Sequence, residues 1–279
     1  MKAMIFAAGL GTRLKPITDT KPKALAEVNG ISLLERNIAK MVQQNIRTIV
    51  VNVHHFPDMV IDKLKKIEKK YGCKILVSDE RQELLDTGGG FLNAEKLLRR
   101  DKKSKRRVGK ITSQINKFLS QISKILSQII FLRCGNISAD SDKGIILLHN
   151  VDILSDIDFN EMKQKFIDLR CTALLAVQKR KTSRYLIFNE NDELCGWTNT
   201  STNEKIIKRK CNVEHLYAFS GIQITDENIF DKITLRGKFS LTQMYLELCT
   251  DNIIKPYVHN GKWIDAGRME SLEKACKMF

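Results

Sequence analysis

The feature that most constrains this chain is a short apolar run that passes directly into a glycine-containing loop. The run covers residues 3–8, and the loop that follows reads Gly9-Leu10-Gly11-Thr12-Arg13. Glycine lets backbone N–H groups approach a phosphate or a base closely, and arrays of such groups form anion-binding concavities. We therefore predict a first β-strand followed by a loop that binds an anion.

Beyond this loop, short apolar runs alternate with helical patterns. Ser32 and Glu35 have the spacing of a capping box at the start of a helix. Further strands are predicted at residues 48–53, 74–77, 144–149, 172–177 and 216–224. Helices are predicted at residues 33–44, from residue 57 through at least residue 67, and at residues 159–169, 241–248 and 270–278. A hairpin is predicted around residues 189–192 and a last strand pair around residues 256–264. This alternation is typical of βαβ units and a largely parallel sheet.

The segment at residues 99–143 differs from the rest of the chain in composition and pattern. Residues 99–107 carry seven Lys or Arg side chains against one Asp, and apolar residues then recur at spacings of three and four. This pattern predicts a basic amphipathic helical insertion. It could serve a membrane surface or a partner helix, but packing on its own domain or on a second copy is favoured. We expect a homodimer contact through a helix at residues 110–132, with a lid beside the ligand site as the alternative.

The net charge of +15 is compatible with several classes of partner. Nucleic acid, an anionic membrane, polyanionic small substrates and a solvated basic surface are all compatible with it. Because much of the excess lies in the 99–107 block, we expect no nucleic-acid partner. No apolar stretch approaches the length of a membrane span, so no stable membrane insertion is expected. The seven cysteines form no C-x-x-C pair, which favours reduced thiols and a cytoplasmic protein.

The residues after the first loop favour phosphate chemistry. A dinucleotide fingerprint would need glycine at position 14, which is Leu14, and no P-loop ending is present. Cations follow instead, because Arg13 ends the loop and Lys21-Pro22-Lys23 comes ten residues later. Open parallel sheets bind ligands at the carboxyl ends of their strands, where these cations are expected.

The segment G-L-G-T-R with its following P-K pair resembles the signature of the sugar-nucleotide pyrophosphorylases, the sugar-1-phosphate nucleotidyltransferase family. Further segments that resemble family motifs follow in the expected order: Leu85-Asp86-Thr87-Gly88-Gly89-Gly90, Asn150-Val151-Asp152, Phe219-Ser220-Gly221-Ile222 and Trp263-Ile264-Asp265-Ala266-Gly267. The L-[ED]-T-G-G-G form is most similar to the N-acetylmuramate-1-phosphate uridylyltransferases. The resemblance covers most of the chain outside residues 99–143.

The resemblance implies a Rossmann-like three-layer α/β/α nucleotidyltransferase fold with a mostly parallel central sheet and a helical insertion. A single domain would cover residues 1–279. Residues 1–98 would form a nucleotide-binding half, residues 99–143 the insertion, and residues 144–279 a metal- and sugar-binding half.

The resemblance also implies roles for single residues. Arg13 and Lys23 are the implied catalytic cations, and Asp152 and Asp265 the implied ligands of Mg²⁺. Gly221 is implied to line the sugar pocket. The implied nucleotide-binding residues are Ala7, Ala8, Gly9, Gly11, Thr12, Thr87, Gly88 and Gly89.

The implied reaction transfers a nucleotidyl group from a nucleoside triphosphate, with UTP favoured, to a sugar 1-phosphate such as N-acetylmuramate 1-phosphate. Guanylyl transfer to mannose 1-phosphate, thymidylyl transfer to glucose 1-phosphate and cytidylyl transfer to choline phosphate are alternatives, as is a non-catalytic regulatory protein that binds nucleotide sugars. Val151 stands where the family usually has glycine, and the central E-K-P element is missing. These departures leave the sugar and the base open.

Overall fold

Short strands and helices alternate along residues 1–100 and 144–279, which are the residues that the computed structural model describes. The strands are β1 (Lys2–Phe6), β2 (Glu27–Val28), β3 (Ile31–Ser32), β4 (Thr48–Val53), β5 (Lys74–Asp79), β6 (Ile145–Asn150), β7 (Ile153–Ser155), β8 (Ala173–Gln178), β9 (Arg184–Phe188), β10 (Leu194–Asn199), β11 (Glu204–Ile207), β12 (His215–Asp226), β13 (Ile254–Val258) and β14 (Trp263–Asp265). The helices are α1 (Leu33–Gln43), α2 (Pro57–Tyr71), α3 (Asp86–Asn93), α4 (Glu95–Leu98), α5 (Phe159–Leu169), α6 (Leu241–Leu248) and α7 (Met269–Met278). Short 3₁₀ helices at Thr12–Leu14, Ile17–Asp19 and Lys23–Leu25 follow β1.

Ten of these strands form one twisted sheet whose spine runs in the order β11-β10-β9-β12-β6-β1-β4-β5, with β8 beside β12 and β13 beside β8. The strands β6, β1, β4 and β5 are parallel to one another, as are β8 and β13. The long strand β12 pairs antiparallel with β6, β8 and β9. Two small ladders, β2–β3 and β7–β14, lie apart from this sheet.

The apolar core lies on both faces of the sheet. Because side chains alternate along a strand, β1 sends Ala3 and Ile5 to one face and Met4 and Phe6 to the other. The first face packs under α1, α2 and α5, and the second under α3, α4 and α6. This arrangement confirms the predicted three-layer α/β/α fold.

Most of the predicted elements are confirmed, and two details are wrong. Ser32 caps α1 by accepting a hydrogen bond from the Glu35 N–H (3.3 Å), but the Glu35 carboxylate does not complete a capping box. It forms salt bridges with Lys63 and Lys70 on α2 instead, because two cations lie within its reach. The predicted last strand pair is also wrong, since β13 pairs with β8 and β14 pairs with β7.

The predicted insertion at residues 99–143, and with it the dimer helix at residues 110–132, lies almost entirely outside the described residues. Within the described ranges, no helix combines the length and the apolar character required to cross a bilayer.

Candidate active site

Three neighbouring strands bring their carboxyl ends to one edge of the sheet. Phe6 at the end of β1 lies in register with Asn52 of β4 on one side and Asn150 of β6 on the other. The glycine loop after β1 and the Asp152 turn after β6 therefore emerge side by side. This juxtaposition is the one that the parallel pattern of the sequence predicted.

Gly11 determines the path of the loop after β1. Its φ is +67°, in the left-handed region that favours glycine, and its carbonyl accepts hydrogen bonds from the Leu14 N–H and the Thr18 hydroxyl. A Cβ at Gly11 would lie 2.9 Å from the Cβ of Lys23 and 2.8 Å from Thr18 Cγ2. The loop therefore folds tightly against residue 23, which places the Lys23 side chain at the edge of the sheet.

Four charged side chains meet beyond this loop. The Lys23 ammonium contacts the carboxylate of Asp152 in a salt bridge that is largely buried. Arg13 is about half exposed, and its Nη1 lies 3.9 Å from Asp265 Oδ2. Asp265 arrives on β14, and the adjacent Ala266 N–H donates to the Asp152 carbonyl (2.8 Å), which fixes the two carboxylates side by side.

Gly267 forms the floor of this charged cluster. A Cβ there would lie 2.7 Å from Asp265 Oδ1, 2.8 Å from Asp152 Oδ2 and 2.9 Å from Lys23 Nζ. Oxygens from two carboxylates and one ammonium nitrogen therefore converge on one point that only a glycine leaves free. The Gly267 N–H also donates to Asp265 Oδ1 (2.8 Å), which orients that carboxylate.

The two carboxyl groups differ in their affinity for a proton. Burial disfavours the charged form of Asp152, but the Lys23 ammonium outweighs it and holds the pKa of Asp152 below its usual value. Burial and the adjacent Asp152 charge raise the pKa of Asp265. Negative charge is therefore concentrated on Asp152, and a further cation placed between the two groups would be attracted by both.

The donor set fits a hard divalent cation. Mg²⁺ is typically held by one or two carboxylates, with phosphate oxygens and water completing its coordination. Asp152 and Asp265 supply such a pair. No group of three or more His, Cys, Asp or Glu side chains suited to a metal occurs in residues 1–100 and 144–279. The remaining ligands would then come from a phosphate and from solvent.

A cavity of about 310 Å³ opens beside this cluster, next to the ends of β1 and β4. Its lining consists of Phe6, Ala8, Gly9, Asn52, Leu84, Asp86, Thr87 and Lys238. Three predicted nucleotide-binding residues, Ala8, Gly9 and Thr87, are among them. Thr12 is exposed at the start of the first 3₁₀ helix after β1.

Other residues predicted to bind the nucleotide have structural partners. The Ala7 N–H donates to Asn52 Oδ1 (2.8 Å), and the Gly88 and Gly89 N–H groups both donate to the Phe239 carbonyl. A Cβ at Gly88 would lie 2.4 Å from the Phe239 ring, and one at Gly89 2.3 Å from the Gly237 carbonyl oxygen. These two glycines therefore let α3 pack against residues 237–240, and their N–H groups are not free for a phosphate.

The predicted sugar-pocket residue Gly221 lies where β12 shifts register between Phe219 and Gln223. Its φ is +72°, and a Cβ would lie 2.8 Å from Ile153 and 3.0 Å from Asn150. Glycine is required here so that β12 can pass close to the Asp152 turn. The Val151 side chain packs in the core, and the Val151 carbonyl accepts a hydrogen bond from Asn37 Nδ2. The valine side chain, which is larger than the usual glycine, therefore points away from the charged cluster.

Residues 2–112 match the model of the family described as "Nucleotidyl transferase". Across 97 residues the chain is 46% identical to N-acetylmuramate alpha-1-phosphate uridylyltransferase of Caulobacter vibrioides, covering 34% of this chain and 40% of that protein. The match to the nucleotidyl transferase model covers less than half of the chain. The chain is also 23% identical over 271 residues to mannose-1-phosphate guanyltransferase of Aspergillus oryzae, covering 96% of this chain and 61% of that one.

A solved structure shares the fold of this chain. HddC from Yersinia pseudotuberculosis superposes with a TM-score of 0.67 at 19% sequence identity, over 100% of this chain and 99% of that chain. This similarity establishes the architecture. The chain spans 40% and 61% of the lengths of the two curated relatives described above.

Several side chains around the charged cluster were not predicted from the sequence. Asn52 joins the Ala7 N–H to the buried carboxylate of Glu80, and its only signal is a polar residue at the end of an otherwise apolar strand. Arg180 lies over the ring of Trp263, next to Asp265 on β14. Nothing in the local sequence around Arg180 distinguishes it from the other cations of its loop.

Proposed function

We propose that this chain is a sugar-1-phosphate nucleotidyltransferase. The observation that carries the proposal is the meeting of Arg13, Lys23, Asp152 and Asp265 beside a cavity lined by the glycine loop. In the proposed reaction an oxygen of the sugar phosphate attacks the α-phosphorus of a nucleoside triphosphate. One P–O bond forms, the bond to the β-phosphate breaks, and pyrophosphate leaves with the bonding electrons.

The proposed reaction needs no covalent intermediate with the protein. Both substrates are anions, so catalysis consists of positioning them and compensating the charge that moves to the leaving group. We assign the binding of the reacting phosphate to Lys23, and the tight loop at Gly11, which lies against residue 23, supports this assignment. Arg13 is about half exposed, and its planar donor fork suits the triphosphate tail and the departing pyrophosphate.

We propose Mg²⁺ as the cofactor, held by Asp152 and Asp265. Bound there, it would supply positive charge to phosphate oxygens during the transfer. The protein's part is to keep the two carboxylates adjacent, which the Ala266 N–H and the Gly267 N–H do through their hydrogen bonds to Asp152 and Asp265.

We favour uridylyl transfer to an amino-sugar 1-phosphate such as N-acetylmuramate 1-phosphate. The support is the 46% identity to the Caulobacter vibrioides protein, which is named for that reaction. The second candidate is guanylyl transfer to mannose 1-phosphate. It is favoured by the Aspergillus oryzae relative, whose similarity extends over 96% of this chain.

A panel of substrates tests both candidates. The protein is incubated with Mg²⁺, one of UTP, GTP, ATP, CTP or dTTP, and one of several sugar 1-phosphates or choline phosphate, and pyrophosphate release is measured. Release with UTP and N-acetylmuramate 1-phosphate supports the first candidate, and release with GTP and mannose 1-phosphate the second. No release with any pair, from protein whose fold is verified by circular dichroism, contradicts the proposed activity.

A further inference from the structure

A guanidinium group lies beside the two carboxylates, on the side away from the nucleotide cavity. Arg180 follows β8, which runs in the same direction as β6 because both pair antiparallel with β12. The ends of β6 and β8 therefore lie at one edge of the sheet, two strand spacings or about 10 Å apart. The nucleotide cavity lies on the other side of β6, next to β1 and β4, so the carboxylates stand between the cavity and Arg180.

Two contacts fix the position of the Arg180 side chain. Its Cζ lies 4.1 Å from the centroid of the Trp263 ring, and its Nη2 donates to the Phe219 carbonyl (2.9 Å). The Trp263 ring is itself held by a hydrogen bond from its Nε1 to the Ser220 carbonyl (2.8 Å). The guanidinium is therefore stacked in one orientation, which lowers the entropy lost when it binds a ligand.

The same geometry places Arg180 next to the reacting groups. Trp263 and Asp265 are two residues apart on β14, so their side chains project from the same face of that strand. A cation stacked on Trp263 therefore lies beside Asp265. Burial lowers the pKa of Arg180, and the negative charge of Asp265 opposes that shift.

Arg180 has unused capacity to bind an anion. Within the described ranges it forms no salt bridge with a carboxylate, and its Nε is buried without a hydrogen-bond partner. A buried donor without a partner is costly, and a ligand that accepts from it removes that cost. The planar fork of donors matches the oxygens of a phosphate or a carboxylate.

We propose that Arg180 binds an acid group of the acceptor sugar phosphate, namely its phosphate or a carboxylate carried by the sugar. This inference rests on the proposed function. Because the displacement is in line, the acceptor approaches the α-phosphorus from the side opposite the leaving pyrophosphate. With the nucleotide in its cavity, that side includes the end of β8, where Arg180 lies.

The experiment compares Arg180→Gln and Arg180→Lys with Lys181→Gln. Lys181 is the exposed neighbour and forms no salt bridge in the described part of the chain, so its variant removes the same charge without the stacked donor. For the nucleotide and acceptor pair that the wild-type protein uses, KM is measured separately for each substrate. Two acceptors are compared, one sugar 1-phosphate that carries a carboxylate and one that does not.

We expect Arg180→Gln to raise KM for the acceptor on the order of 10- to 100-fold, with KM for the nucleotide changed less than about two-fold. The acceptor KM of Arg180→Lys should lie between those of the wild type and Arg180→Gln, and the acceptor KM of Lys181→Gln should match that of the wild type. A rise with both acceptors identifies the phosphate as the bound group. A rise only with the acidic sugar identifies the carboxylate.

An unchanged acceptor KM, or an equal rise in both KM values, overturns the role of Arg180. Should the glutamine variant not fold, the lysine variant decides the same question, since it keeps the charge and loses the planar fork. If the wild-type protein turns over no pair, the proposed activity fails, and calorimetric titration with the sugar phosphates still tests Arg180. Binding to the wild type that weakens in Arg180→Gln supports the inference, and absent or unaltered binding overturns it.

Discussion

The ammonium of Lys23 contacts the carboxylate of Asp152, 129 residues further along the chain. The contact joins the loop after β1 to the turn after β6, and it places a cation next to the first of two adjacent carboxylates. The proposed transfer between two anions would need such cations and carboxylates within a few ångströms of the phosphorus that is attacked, because charge would move there during the reaction.

Asp152→Asn should reduce kcat/KM by at least about 100-fold, and Arg13→Ala by a similar factor, because each removes charge stabilisation in the transition state. Asp168→Asn, a matched change at an exposed residue of α5, should leave the rate unaltered. Pyrophosphate release is the measurement. Near-normal rates in both site variants would show that the reaction occurs elsewhere.

Gly267→Ala should impair activity far more than stability. The new Cβ would lie within 3 Å of three charged side-chain ends, which can move aside and lose their shared geometry. We expect a rate at least about 10-fold lower, with a melting temperature close to that of the wild type. A variant that keeps full activity would contradict the position assigned to Gly267.

Asn52→Leu should destabilise the protein by about 1–3 kcal/mol, because it leaves the Ala7 N–H without its acceptor and the Glu80 carboxylate without its donor, both buried. Glu80→Gln is the control. Burial raises the pKa of Glu80, and its Oε2 has no hydrogen-bond partner among residues 1–100 and 144–279, so an uncharged amide should be tolerated. Urea unfolding measures the free energy of unfolding of both variants. A larger loss of stability in Glu80→Gln than in Asn52→Leu would refute the bridging role assigned to Asn52.

Glu35 should make stability depend on pH in the acid range. Hydrogen bonds from Lys63 and Lys70 lower the pKa of Glu35 from 4.5 to about 2. Since the folded state holds the proton less tightly than the unfolded state, this stabilisation is present above pH 4.5 and is lost as pH falls towards 2. The difference in unfolding free energy between the wild type and Glu35→Gln should therefore shrink from pH 6 to pH 3. A difference that stays constant over that range would contradict the assignment.

The fold could be predicted from the sequence because its signals are local. The β-branched run of β4 has the same bounds, residues 48–53, in the sequence pattern and in the structure. The positions of Arg13, Lys23, Asp152 and Asp265 at one edge followed from strand ends and from the family resemblance. Partners distant in sequence could not be predicted. Gly88 packs on Phe239, about 150 residues later, and no local pattern shows that its N–H is already bonded.

The short β7–β14 ladder has a consequence for the order in which the site is assembled. Asp265 lies on a three-residue strand that pairs with β7 and not with the ten-stranded sheet. Strands β1, β4 and β6, together with both partners of the Lys23–Asp152 contact, precede β14 along the chain. Asp265 is therefore the last of the four charged groups of the cluster to be synthesised, and it is held by a ladder separate from the sheet that carries the loop after β1.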